Sequence, residues 1–296
     1  MFFYVIGNGF DLHYHLQTSY CHFKNFLLNN GYESIVNSVD RLFKDKGDFS
    51  PSEIEYWSDF ENMLLVFNHL DAEEMYDDAM SNAEPDDERA DYLDSPSWNV
   101  DYYHEYIRIL KEQFDVWIRQ IDTRIIPDRY FLPQKHDRIL TFNYTTTIED
   151  NFPDAGYDIL HIHGTKDEEI ILGHNEYQEP ETFIVYEDMD SDYRDLTTKK
   201  AINGILEKVA DLYYKNCSEM LQRYKTVFSS ISQYEKVVIM GLSCGDQDIE
   251  YVKTIISFAN HIDFYYYPDK DGNSEAKDRF AELVDGKNVA INYYSW

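Results

Sequence analysis

The sequence predicts an α/β fold, a parallel β-sheet flanked by helices and interrupted by a helical insertion. Phe2–Ile6 (FFYVI) is a continuous apolar, β-prone run followed at once by Gly7-Asn8-Gly9, the pattern of a strand buried on both faces that opens onto a loop. From about Ser50 to Asp122 apolar residues recur at helical spacing with no convincing strand between them. Short apolar strands then return and alternate with helical segments, as in a sheet covered by helices.

Taken in order, the first strand and its glycine loop lead to Thr18-Ser19-Tyr20, an N-cap signal ahead of Phe23, Phe26, Leu27 and Leu28 on one helical face. In the insertion, Ile54, Trp57, Phe60, Met63, Leu64 and Phe67 line one helical segment. Tyr103, Ile107, Leu110, Phe114, Trp117 and Ile121 line a second. The acid-rich stretch between them, Asp71 to Pro96, reads as a solvated face or a mobile loop and not as a metal site. Strands are expected at Arg138–Phe142, Asp158–Ile162, Glu169–Leu172, Lys236–Met240, Ile262–Tyr267 and Asn288–Tyr293. The expected organisation is an α/β domain of residues 1–34 and 131–296 with a helical insertion of residues 35–130.

Composition narrows the partners. The 26 Lys and Arg against 56 Asp and Glu give a net charge of −30, and no basic run is present to neutralise phosphates. Direct nucleic-acid binding is therefore not expected, nor is attraction to an anionic membrane surface. The aromatic content, with 26 Tyr and 18 Phe, argues for a folded chain despite the charge. Cys21, Cys217 and Cys244 are far apart and form no C-x-x-C pair, which leaves neither a thiolate zinc cage nor a disulfide framework. With no basic leader and no segment near the ~20 apolar residues of a membrane span, a soluble, cytoplasmic protein is the expectation.

Ligands of open α/β sheets sit outside the carboxyl ends of the strands, so the residues that follow each strand are the candidates. They are Gly7-Asn8-Gly9-Phe10-Asp11, Asn143-Tyr144-Thr145-Thr146, His163-Gly164, and Gly241-Leu242-Ser243 with Asp246 and Asp248. Each has a plain structural alternative. A Gly-x-Gly can simply make a tight turn, and the third glycine of the dinucleotide fingerprint is missing; Asn143 and Ser243 can cap helices. His161 and His163 alternate on one strand face, and a metal site there would need a further ligand such as His174; no metal is expected.

With these blocks in order, the sequence resembles the AbiH family of bacterial abortive-infection, anti-phage proteins. The resemblance is carried by IGNGFDLHYHLQTSY, WSDFE at Trp57 to Glu61, LTFNYTTTIE at Leu140 to Glu149, HIHG at His161 to Gly164 and MGLSCGDQD at Met240 to Asp248. The same blocks are similar to a remote variant of the sirtuin-like, Rossmann-type fold, in which a glycine loop, a T-x-N segment, an H-G pair and a later G-x-S surround NAD.

That similarity implies an NAD glycohydrolase, cleaving NAD to nicotinamide and ADP-ribose with NAD as substrate. Asn143 and His163 would be catalytic, and Gly7, Asn8, Gly9, Asp11, Thr141, Gly164, Gly241, Ser243 and Asp248 would surround the nucleotide. Gly7 and Gly9 would bring backbone N–H groups against the pyrophosphate. The zinc-holding cysteine pairs of protein deacylases are absent and the loop reads GNGFD, so deacylation is set aside. The alternatives are a nucleotide-sensing or protein-interaction module without turnover, and an acidic protein that imitates nucleic acid. A protein partner, a phage trigger and self-association stay open, as does the role of Asp59 and Glu61.

Overall fold

The computed structural model describes residues 1–46, 57–81, 97–153, 155–186 and 193–296. They divide into two compact units, the first made of Met1–Phe23, Asp115–Ile171 and Lys215–Trp296, the second of Lys24–Phe114 and Leu172–Tyr214. The chain between residues 172 and 214 thus belongs with the helical unit, where sequence alone placed it with the sheet.

The first unit holds a six-stranded sheet of β1 (Phe2–Ile6), β2 (Arg138–Thr141), β3 (Asp158–His161), β4 (Lys236–Met240), β5 (His261–Tyr266) and β6 (Ala290–Ser295). The spatial order is β3-β2-β1-β4-β5-β6, and every pair is parallel. This is the doubly wound, Rossmann-like arrangement, in which the chain reverses its direction of strand addition between β1 and β4. Register aligns the strand ends, because Ile6 pairs with Thr141 and Met240, and Thr141 pairs with His161. Every block singled out from the sequence therefore leaves the sheet along one edge.

The buried strand β1 shows why its sequence is continuously apolar. Phe3 and Val5 join Leu140, Ile239, Phe264 and residues of two helices, α11 (Ile249–Phe258) and α12 (Glu275–Val284), in one core layer. Tyr4 and Ile6 join Ile139, Met240, Phe10 and Phe131 in the layer on the other face. Alternate residues of a strand point to opposite faces, so a strand covered on both sides has no polar position to offer. Phe264 and Phe280 stack with centroids 4.2 Å apart. The short helices α1 (Gly9–His13) and α7 (Thr147–Asn151) follow β1 and β2, and α9 (Cys217–Arg223) and α10 (Lys225–Ser230) precede β4. The helix α2 (Tyr20–Asn29) begins where the N-cap signal lies, with the Ser19 hydroxyl accepting the His22 N–H at 3.3 Å.

The second unit is helical. It contains α3 (Glu33–Lys46), α4 (Phe60–Met63) running into a 3-10 turn at Leu64–His69, α5 (Ala72–Ser81), the first part of α6 (Ser97–Gln120), and α8 (Tyr193–Leu212). Trp57 and Phe60 stack with centroids 5.0 Å apart, and Asp40 accepts both the Trp57 indole N–H at 2.6 Å and the Lys24 ammonium at 2.7 Å. WSDFE is thus partly explained as core, and Glu61 too is buried.

The structure departs from expectation in two elements. Ala72–Ser81 is a helix and not a mobile loop: the Asp71 carboxylate accepts the Glu74 N–H at 2.9 Å, and Met75 and Ala79 are buried on one face while Glu73, Glu74 and Asp77 are exposed on the solvated one, so a cap and an apolar stripe hold the helix despite the acidic composition. Glu169–Leu172 forms no strand. Ile170 and Leu172 are buried, but the backbone is used elsewhere, Ile171 N–H donating to the His163 carbonyl and the Tyr144 hydroxyl donating to the Ile171 carbonyl. Ile54, the side chain of Tyr103 and residues 82–96 lie outside the described residues.

Candidate functional site

Two loops meet at the point where strand order reverses. Gly7 N–H donates to the Met240 carbonyl at 3.0 Å and Gly9 N–H to the Gly241 carbonyl at 2.8 Å. A Cβ on Gly9 would lie 2.7 Å from Gly241 Cα; one on Gly241, which has φ of +67°, would lie 2.2 Å from Phe10 N. The glycines therefore let two backbones touch. Their amides are committed to the β4 loop, so Gly7 and Gly9 do not present N–H groups to a pyrophosphate as the sequence reading expected. Asn8 is also engaged, its side chain donating to the Thr18 carbonyl at 3.0 Å.

Beyond this clasp lies a first polar network, on α1 and the segment after β2. Asp11 is fully buried, and its Oδ2 accepts the Thr145 hydroxyl at 2.5 Å, which in turn accepts the Thr147 hydroxyl at 3.1 Å. Among the described residues no donor reaches Asp11 Oδ1 or the buried Oδ1 of Asn143. Burial pushes the Asp11 carboxyl up to about 6, against the pull of Thr145, Thr147, Asn143 and the nearby His161. Asn143 N–H donates to the Thr141 hydroxyl at 3.1 Å, while its carbonyl lies 3.0 Å from His161 Nδ1, whose other ring nitrogen is 2.7 Å from Glu149.

A second network surrounds His163. This residue is 2% exposed and packed edge-on against Phe142 and Tyr251, at 5.5 and 5.7 Å, with Tyr144 at 6.4 Å. Its Nδ1 is 3.5 Å from Lys215 Nζ and its Nε2 is 3.9 Å from Asp248 Oδ1. Burial first, and the Lys215 charge second, hold the imidazole well below its usual 6.5, so it is neutral at pH 7.

His161 and His163 do not share a face as expected. The strand ends at His161, and a turn at Ile162-His163 with Gly164 at φ +78° swings the second ring away. One histidine meets Glu149 of α7, the other Tyr251 of α11. Gly164 is required because a Cβ there would stand 2.0 Å from the Glu169 carbonyl oxygen. Ser243 is exposed and accepts the Gly245 N–H at 3.4 Å; Asp248 is the residue preceding α11. Among the described residues no group of three or more His, Cys, Asp or Glu is placed to hold a metal, and no helix is long and apolar enough to cross a membrane.

The structure thus unites Asp11 with Asn143 and Thr141, and His163 with Asp248, in neighbouring networks joined through Phe142-Asn143-Tyr144. Sequence reasoning missed Lys215, which is 2% exposed. A single lysine between a helix and an asparagine N-cap carries no local sign of burial. Thr145 and Thr147 were inside LTFNYTTTIE and legible as a block, without an indication of which hydroxyl meets which acid.

A family model for bacteriophage abortive infection AbiH matches residues 3–267. No curated protein and no solved structure matches the chain.

Proposed function

Because the chain belongs to the AbiH family of bacteriophage abortive-infection proteins, we propose that it serves that defence by hydrolysing the nicotinamide–ribose bond of NAD or a related nucleotide. Water replaces nicotinamide at the ribose carbon, giving ADP-ribose, free nicotinamide and one proton. The observation that carries this reading is position: the polar cluster lies at the carboxyl edge of a sheet ordered β3-β2-β1-β4-β5-β6, beside the β1–β4 reversal, where α/β folds receive dinucleotides.

The residue chemistry supports it. Asp11 Oδ1 and Asn143 Oδ1 are buried acceptors without donors among the described residues, suited to a hydroxyl or an attacking water. A carboxyl with pKa about 6 is largely ionised at neutral pH and can take the released proton. The negative charge of Asp11 would also favour the cationic sugar that forms as nicotinamide leaves. His163 is the candidate for contact with the departing or attacking group. Other groups than the Gly7 and Gly9 amides would have to hold the pyrophosphate.

The test is to infect bacteria expressing wild type, His163→Ala or Asn143→Ala and to quantify NAD, nicotinamide and ADP-ribose over time. Loss of NAD with release of nicotinamide in wild type alone is the expected result; constant NAD while protection against phage persists overturns it. A second reading, a nucleotide-sensing module, is favoured by the enclosure of His163 among three aromatic rings. It predicts nucleotide binding that survives His163→Ala and no turnover.

A further inference from the structure

The His163 pocket makes a statement about protons that the sequence could not. A protonated lysine offers three donors and no acceptor. Lys215 Nζ lies 3.5 Å from Nδ1 of His163, and both residues are 2% exposed. A ring nitrogen facing an ammonium is stable only as a lone-pair acceptor. In a neutral imidazole the other nitrogen then carries the hydrogen, and here that nitrogen, Nε2, is directed toward Asp248 Oδ1 across 3.9 Å.

We propose that Lys215 fixes His163 as the neutral Nε2–H tautomer, so that His163 meets its ligand as a hydrogen-bond donor to an oxygen atom and does not serve as the general base. The part that concerns ligand chemistry rests on the nucleotide reading above; the tautomer does not. In hydrolysis, the donor would act on a ribose or carboxamide oxygen, and the proton released by water would go to Asp11 instead. Lys215 is a positioning residue in this scheme, acting through the ring it faces.

The groups around His163 agree with this assignment. Phe142 and the rings of Tyr144 and Tyr251 add no positive charge, and Tyr251 is held in its neutral form mainly by burial and then by the Cys217 thiol beside it. Asp248 is the acidic group that faces the ring, and it attracts the Nε2–H. Lys215 itself lies 5.8 Å from the Tyr144 ring centre, a favourable place for a buried ammonium.

The experiment is a long-range 1H–15N spectrum of the full chain labelled at histidine nitrogen, with the His163 signals identified by their loss in His163→Gln. The expected wild-type pattern is a protonated Nε2 and an unprotonated Nδ1, unchanged from pH 5.5 to 8.5. In Lys215→Met the tautomer should redistribute, and the titration midpoint should rise by about one pH unit, the shift that a charge at this distance exerts; Lys215→Arg should retain the wild-type pattern. A wild-type spectrum with Nδ1 protonated overturns the proposal whatever the variants do, and so does a folded Lys215→Met with an unaltered pattern. The expected tautomer together with constant NAD in infected cells would leave this assignment standing and remove only the glycohydrolase reading.

Discussion

Replacing Gly9 by alanine tests the clasp between the β1 and β4 loops. The new Cβ would stand 2.7 Å from Gly241 Cα and 2.8 Å from its carbonyl oxygen, where carbon contacts settle at about 3.5–4.0 Å. The loops must open by about 1 Å. Overpacking of this kind costs about 1–3 kcal/mol, and weakening the Gly9 N–H to Gly241 O bond adds about 1 kcal/mol, giving roughly 2–4 kcal/mol. Gly241→Ala combines closer contacts, 2.2 Å to Phe10 N and 2.4 Å to Gly9 C, with a left-handed φ of +67°. The added backbone strain of about 1–2 kcal/mol places it at roughly 3–6 kcal/mol. Because both variants open the same contact, the double variant should cost less than the sum. Urea unfolding followed by circular dichroism measures these losses. Gly204→Ala is the control, since that glycine sits within α8 and meets nothing within 4 Å; it should gain up to ~1 kcal/mol. A loss below ~0.5 kcal/mol for both Gly9→Ala and Gly241→Ala, within the range of neutral surface changes, would refute the clasp and return the glycines to a ligand-binding role.

Four further outcomes are expected. Asp11 has a native pKa of about 6 against an ordinary value of 3.8, so its carboxyl supports folding most below pH 3.8 and loses that support as pH rises through 6. Asp11→Asn should therefore gain stability relative to wild type between pH 4 and 7, by up to about 3 kcal/mol; a pH-independent difference in thermal unfolding would contradict this. Gly164→Ala, with its Cβ 2.0 Å from the Glu169 oxygen at φ +78°, should lower stability by about 2–4 kcal/mol, seen as a melting shift of several degrees. Phe280→Ala removes a buried ring stacked on Phe264 and should cost about 3–5 kcal/mol in the same urea titration. A maleimide reagent should modify half-buried Cys21 before buried Cys217 and Cys244, because burial pushes the Cys244 thiol up to about 12; labelling of Cys244 in the folded protein at the rate of Cys21 would count against the packing around it.

Strands such as Phe2–Ile6 and Lys236–Met240 were legible to the residue, since burial on both faces of a sheet demands an unbroken apolar run and such a run is a local property. Glu169–Leu172 looked similar and failed, because its backbone pairs with the turn after β3 and not with a strand, Ile171 N–H donating to the His163 carbonyl. Ala72–Ser81 was hidden by its acids, although the Asp71 cap and the Met75 and Ala79 spacing were present in the sequence. The blocks of the candidate site were legible as blocks, because the apolar runs mark where each strand ends and parallel strands bring those ends to one edge.

By itself the sequence determined an α/β class, a parallel sheet with a helical insertion, an acidic surface and the segments that gather at one sheet edge. Those follow from periodicity, composition and the rule that a buried strand is apolar. Tertiary structure alone decided that Gly7 and Gly9 face Gly241 and that 172–214 belongs with the helical unit. It also decided that His161 and His163 part company, and that a lysine 52 positions from His163 approaches its ring. Each of these is a meeting of atoms distant in the chain, and a proton's place on an imidazole depends on the charge that faces it in space.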